Sequence, residues 1–293
     1  MLSFDLKAAL DWEAHKANPV AWVHDLGLLR DKAGNICKLD ENQKNILDPT
    51  NKRVIINCHR QWGKSTISSL LCFWRALFYE KSLCLLVAPS LRQSSENFRK
   101  ISDALESITP KPELIEDTKL TLKFSNGSRI ISLPGSQKTV RGFTAPDLII
   151  IDEAAQAEDE LFGALFPMLS NSPNGRLICA STPWGQQGFF FKLWTEGGPE
   201  WCKIKVIASE NPRIRPEVLE EAKRSPNGAL WYSQEYCGEF ISSDTQLIDI
   251  TQIRKALNSN IPIIPFGTGK AETTAPGFNK ARNSTIRVVA FGD

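Results

Sequence analysis

Residues 53–80, RVIINCHRQWGKSTISSLLCFWRALFYE, constrain the fold more than any other stretch. A short β-branched run leads into a loop ending Gly63-Lys64-Ser65-Thr66, and apolar residues then recur at helical spacing. The pattern predicts a strand over 53–57, a loop over 58–63 and a helix from about 65. Strand, tight loop, Lys, hydroxyl and helix is the order a phosphate-gripping loop needs. Its backbone N–H groups converge on phosphate oxygens, and the helix dipole favours the anion. Residues 61–66 (Gln61, Trp62, Gly63, Lys64, Ser65, Thr66) are the candidate nucleotide contacts. Lys64 would meet the β- and γ-phosphates and Ser65 would ligate Mg²⁺. One position departs from the pattern: a Gly is expected at 58, where Cys58 stands. A small side chain fits there if the backbone angles are ordinary. The last Gly, beside the phosphates, is harder to replace, and Gly63 is present. A chance G-K-S-T at a helix start is the alternative.

Downstream, unbroken apolar runs alternate with helical patterns. SLCLLVAPS (82–90), DLIIIDEA (147–154), RLICAST (176–182) and WCKIKVIA (201–208) read as strands. LRQSSENFRKISDALESI (91–108) and EDELFGALFPML (158–169) read as helices. KLTLKFSNGSRIISLPG (119–135) reads as a hairpin turning at Asn126-Gly127. Residues 1–50 read as helices and loops, with Trp12 and Trp22 packing onto the elements after residue 50. From about 211 the chain turns helical (PEVLEEAKRS, ALWYSQEYCGEFI). Residues 266–284 read as a linker, and the apolar run IRVVAF comes after it. Such alternation predicts an α/β fold, a mostly parallel sheet with helices on both faces.

The run LIIIDEAAQ places two acids at the end of a buried strand, where ligands bind in open α/β sheets. Asp152 would hold Mg²⁺, mostly through water. Glu153 would orient and deprotonate the water that attacks a γ-phosphate. Alone, the pair could be a surface feature. Placed after G-K-S-T, it becomes the second half of one ATP site, and a Glu directly after the Mg²⁺ Asp suggests hydrolysis rather than transfer to a small acceptor.

Composition narrows the partners little. The 293 residues carry 35 basic and 33 acidic side chains, a net charge of +2. A surface that handles nucleic acid would have to be a local patch. Seven Cys without a C-x-x-C pair, and three His, argue for free thiols in a reducing cytosol rather than a zinc site. The N-terminus, MLSFDLKAALDWEAH, is not a signal peptide, and no apolar run approaches the roughly 18 residues of a membrane span.

HRQWGKST, VRGFTAPDLIIIDEAA, ICASTPWG and WYSQEYCGEF occur in this order. Over about residues 40–255 the chain resembles the ATPase half of the large terminase subunit of tailed bacteriophages, the motor that packages DNA into procapsids. The resemblance implies a P-loop NTPase of the ASCE type, RecA/helicase-like, with a small helical lid subdomain. It implies an N-terminal helical segment (1–50), an ATPase core (51–208), a lid and linker (209–260), and over 261–293 a linker and the start of an RNase H-like nuclease domain.

The resemblance also implies roles. Gln43 matches an adenine contact, with an exposed helical Gln as its alternative. Arg60 matches a γ-phosphate sensor, with a salt bridge as its alternative. Arg141 matches a finger reaching into a neighbouring subunit's site, with a local ion pair equally open. Ser181, Thr182 and Pro183 match the coupling motif that relays phosphate state to the DNA-gripping part. Arg92 and Gln93 could face DNA, and a capped helix start explains them as well. Asp293 would be a first nuclease metal ligand; one Asp builds no two-metal site, so no DNA cutting is expected of this chain.

The function implied is ATP-driven translocation of double-stranded DNA, gripped without regard to sequence. Implied partners are a portal protein and a small terminase subunit, with a homo-oligomeric ring when active, in the host bacterial cytoplasm. Two readings stay open beside it: a helicase-like DNA-dependent ATPase of another mobile element, and a nucleotide-binding module with little activity outside its assembly.

Overall fold

The computed structural model describes residues 6–31, 33–226 and 228–241. The helices are α1 (Leu6–Ala17), α2 (Pro19–Asp25), α3 (Glu41–Leu47), α4 (Lys64–Phe78), α5 (Leu91–Ser107), α6 (Gln137–Val140), α7 (Asp159–Leu165), α8 (Gly188–Glu196), α9 (Pro216–Arg224) and α10 (Gly228–Glu235). The strands are β1 (Arg53–Cys58), β2 (Leu83–Ala88), β3 (Leu114–Asp117), β4 (Thr121–Phe124), β5 (Arg129–Pro134), β6 (Leu148–Asp152), β7 (Arg176–Ser181) and β8 (Trp201–Val206).

All eight strands join one sheet in the order β3-β4-β5-β2-β6-β7-β1-β8. The six from β5 to β8 run parallel. The predicted hairpin forms, with Gly127 supplying a φ of 85° at its turn. Its second strand, β5, also pairs in parallel with β2, so the hairpin is spliced onto the sheet edge. β3, a short exposed strand, extends that edge further.

Alternation along the central strands decides which layer covers each face. In β1, Val54, Ile56 and Cys58 face a core built with α4 and α5, while Ile55 faces the opposite core with α7 and α8. β6 and β7 divide their residues the same way, so both faces are buried, as the unbroken apolar runs require. On the first face, Ile67, Leu70, Leu71, Phe73 and Trp74 of α4 are almost fully buried. At about 1.5–3 kcal/mol for each large apolar side chain, this fixes α4 firmly against the sheet. Trp22 meets Phe73 and Phe78 edge-on, and Trp12 lies against Phe78 with ring centroids 4.5 Å apart. The N-terminal tryptophans thus pack as expected.

Two predicted helices are shorter than their patterns. The helix expected over 158–169 stops at Leu165, because Pro167 cannot continue it; a 3₁₀ turn, Phe166–Asn171, takes over. The run from Ala229 is helical to Glu235 and then leaves the helix through Gly238. The expected linker at 266–284, the run IRVVAF and Asp293 lie outside the described residues.

Candidate active site

β1 and β6 end at the same sheet edge with β7 between them. This brings the G-K-S-T loop and the acid pair together across one strand. Lys64 Nζ donates to Glu153 Oε1 at 2.7 Å, and Ser65 Oγ donates to Asp152 Oδ2 at 2.8 Å. From the end of β7, Ser181 Oγ reaches Glu153 Oε2 at 3.4 Å. Thr182 and Pro183 come next in the chain, both buried. The residues assigned to phosphate, metal and coupling therefore share one cluster.

The loop has the features a phosphate cradle requires. Gly63 sits at φ 107° immediately before α4 and gives it no side-chain cap. A Cβ there would meet nothing nearer than Gln43 Nε2 at 3.5 Å, so the demand for Gly is conformational rather than spatial. No backbone N–H from Gln61 to Thr66 finds an acceptor among the described residues. The first turn of a helix leaves its amides without intrahelical partners, and here they remain open.

Cys58 is not part of the loop. It is the last residue of β1, paired with Val206 and fully buried, with no left-handed backbone demand. Burial pushes its thiol up to about 12, against the pull of nearby Lys64, so it is a neutral, inert packing residue.

Within the site, strain sits at two other positions. Gln61 (φ 62°) and Glu153 (φ 52°) are non-glycine residues in the left-handed region. Each costs on the order of 1–3 kcal/mol and persists only where the surroundings hold it. Glu153 begins a 3₁₀ turn, Ala154–Gln156, so this turn aims its carboxylate at Lys64 and Ser181. Burial opposes a charge on Lys64, but Asp152 and Glu153 outweigh it and hold the ammonium above its ordinary range.

The wall behind the loop was not legible in the motifs. Trp62 is buried and its indole N–H donates to Asp40 Oδ2 at 2.8 Å. The Trp62 carbonyl accepts from Gln43 Nε2 at 3.4 Å and from Arg213 Nη2 at 3.2 Å. Asn211 accepts from Arg213 and contacts the His59 ring, whose other nitrogen meets the Arg60 carbonyl. Burial holds His59 below its ordinary range, so it is neutral here. Gln43 is fully buried, which excludes the exposed-helix alternative. Its Oε1 also closes a capping box with Asp40, so in this arrangement its amide braces the loop.

Arg60 forms a 2.5 Å ion pair with Glu235, a charge pair rather than an aligned hydrogen bond. Glu235 opens a segment seated along the end of the sheet. Ala208 N–H donates to the Tyr236 carbonyl, and Asn57 Nδ2 donates to the Gly238 carbonyl at 2.7 Å. Gly238 is needed on two counts: its φ is 68°, and an added Cβ would lie 3.1 Å from Asn57. Lys205 pairs with Glu239, and Phe240 enters a cluster with Phe190, Phe191 and Trp194. Between this segment and the loop runs a groove of about 960 Å³, with Gln61, Trp184, Trp231 and Tyr236 among its walls.

Arg141 lies apart from this cluster. It is exposed just after α6 and has no charge partner among the described residues. Arg92 is exposed too, while Gln93 closes the capping box of α5 with Ser90. The capped helix start thus accounts for Gln93. Asn97 of α5 is a residue the motifs missed: its Nδ2 donates to Asp152 Oδ2 at 2.8 Å.

The donor set fits a hard divalent cation. Among the described residues Asp152 Oδ1 is buried without a hydrogen-bond partner, beside the Ser65 hydroxyl on the other carboxylate oxygen. Ser65 and Asp152 would hold Mg²⁺, which would supply charge neutralisation at a bound phosphate.

Solved structures share this fold. The chain is similar to the ATPase domain of the large terminase of Thermus phage P74-26, 22% identical over 70% of this chain and 94% of that one, with a TM-score of 0.61. It is similar to the HK97 bacteriophage large terminase, 15% identical over 82% of this chain and 58% of that one, with a TM-score of 0.63. A large terminase from another thermophilic bacteriophage, in complex with ADP, is 13% identical over 69% of this chain and 54% of that one, with a TM-score of 0.57. The chain thus spans just over half the length of the latter two proteins. No curated protein matches by sequence. The family described as "Terminase large subunit, T4likevirus-type, N-terminal" matches residues 55–255. With that match over well over half its length, the chain belongs to the large terminase subunit family.

Proposed function

We propose that this chain is the ATP-hydrolysing motor domain that drives double-stranded DNA into a procapsid. The observation that carries the reading is the double pairing Lys64–Glu153 and Ser65–Asp152 beneath the open amides of Gln61–Thr66. In this reading the amides and Lys64 bind the β- and γ-phosphates. Those oxygens compete with Glu153 for Lys64, and Glu153, released, takes a proton from the attacking water. Ser181, already against Glu153 at the end of β7, registers the exchange and passes it on to Thr182 and Pro183. Gln43 steadies the loop through Trp62 and meets adenine only if its amide leaves that carbonyl.

Arg141, exposed and without a charge partner among the described residues, is free to complete a neighbour's site in a ring. An arginine supplied in this way is worth about 10³–10⁵ in rate. Arg60 links the loop to Glu235, so the segment after Ala208 is read as a lid that senses the γ-phosphate through this pair. The partners are then a portal protein, a small terminase subunit and duplex DNA held by its phosphates, in the host bacterial cytoplasm. No helix among the described residues is long and apolar enough to cross a membrane.

The test is steady-state ATP hydrolysis by the chain and by Glu153→Ala, across protein concentrations, with and without linear duplex DNA. Glu153-dependent turnover per chain that rises with concentration and duplex supports the motor. Stimulation by duplex accompanied by strand separation would favour a helicase instead.

A further inference from the structure

The metal-binding acid has a partner outside every motif. Asn97 lies on α5, 55 residues from Asp152 in sequence, and is only 3% exposed. Its Nδ2 donates to Asp152 Oδ2 at 2.8 Å, the same oxygen that accepts from Ser65. Two donors therefore fill Oδ2, and the buried oxygen without a partner is Oδ1. Asn97 thus decides which carboxylate oxygen is left for the metal shell.

The orientation of that amide is itself fixed. Lys100, one turn along α5, places its ammonium 3.4 Å from Asn97 Oδ1. Flipping the amide would set oxygen against the Asp152 carboxylate and NH₂ against the ammonium, two repulsive contacts in place of two attractive ones. The Asn97 backbone carbonyl accepts from Ser69 of α4 at 3.0 Å, which ties the residue to the helix that carries Ser65.

We propose that Asn97 is a positioning residue for the Mg²⁺-nucleotide site, with Lys100 as the lock on its amide. This rests on the ATPase reading above. Asn97 acts through Asp152, holding the carboxylate so that one oxygen serves Ser65 and the other faces the metal shell. Partners of this kind behind a metal ligand typically matter by about 10–100-fold in metal affinity or turnover.

The experiment measures binding of a fluorescent ATP analogue as Mg²⁺ is titrated, and separately without Mg²⁺, for the wild type, Asn97→Ala and Lys100→Met. Turnover and melting temperature are followed in parallel. For Asn97→Ala the Mg²⁺ midpoint should rise about tenfold and kcat should fall about 10–100-fold, with metal-free nucleotide binding unchanged. Lys100→Met, which keeps Asn97 but frees its amide to flip, should shift the midpoint the same way by about threefold. If Asn97→Ala does not fold, Lys100→Met decides on the same readout. A wild-type Mg²⁺ midpoint in the folded variants overturns the proposal, and so does equal loss of binding with and without Mg²⁺, which would make Asn97 a brace of the fold. A wild-type chain that binds no nucleotide at all sinks the ATPase reading and this proposal with it. Normal wild-type binding with unshifted variants sinks this proposal alone.

Discussion

Helices α4 and α5 begin at the same edge of one sheet, each just after a buried parallel strand, and they treat their first turns in opposite ways. α5 is capped: Ser90 accepts from the Gln93 N–H, and the Gln93 side chain accepts in return from the Ser90 N–H. α4 is left open: Gly63 offers no side chain, and the amides behind it find no acceptor among the described residues. A side-chain cap is worth about 1 kcal/mol, and one helix forgoes it. The cost at α4 is met by burial of its apolar face, and the open turn is the part that can take an anion. The acid turn at Glu153 obeys the same rule, holding a non-glycine residue in a left-handed conformation.

The comparison can be broken most forcefully at Glu153. Glu153→Gln keeps the shape of the turn and removes the base. Turnover should fall about 10²–10⁴-fold while nucleotide binding persists, measured by coupled ATPase assay and equilibrium binding. Binding lost along with turnover would make Glu153 a structural partner of Lys64 only.

Gly63→Ala tests the open turn itself. The backbone there is at φ 107°, which an L side chain resists whatever the space around it. The variant should lose about 1–3 kcal/mol of stability in thermal unfolding and bind ATP more weakly. Ser90→Ala makes the contrasting change at α5. It should cost about 1 kcal/mol, near 2–4 °C in Tm for a chain of this size, and leave nucleotide affinity unchanged.

The smallest effect lies in the wall behind the loop. His59 is held below its ordinary range mainly by burial, so the folded state binds its proton less readily than the unfolded chain does. Stability is therefore full above the unfolded pKa of about 6.5 and falls as pH drops below it. Tm should decline from pH 7.5 to 5.5 with a slope that His59→Gln reduces.

Much of this was legible in the sequence because it is local. β1, the loop and α4 are contiguous, and the apolar runs of β2, β6, β7 and β8 announce buried parallel strands. The meeting of Lys64 with Glu153 could be inferred because both motifs lie at strand ends. What stayed hidden depends on the tertiary fold. Asn97 looks like any polar helix residue until α5 packs on β2 and β5 and brings its amide to Asp152. Arg213 reaches Trp62 across 151 residues with no motif to mark either. β3, with three of its four residues exposed, lacks the alternation that betrays a strand. α8 is centred on three consecutive buried Phe residues, a run without helical periodicity. Cys58 looked like a defect in the loop and is a strand residue in the core.

The most direct test of the open-turn claim is amide hydrogen exchange, residue by residue, with and without Mg-ATP. New protection is expected at residues 61–66 and little change at 93 and 94, whose amides the Ser90 hydroxyl and carbonyl already hold. Protection equal at both helix starts, or none at 61–66 with nucleotide saturating, would contradict it.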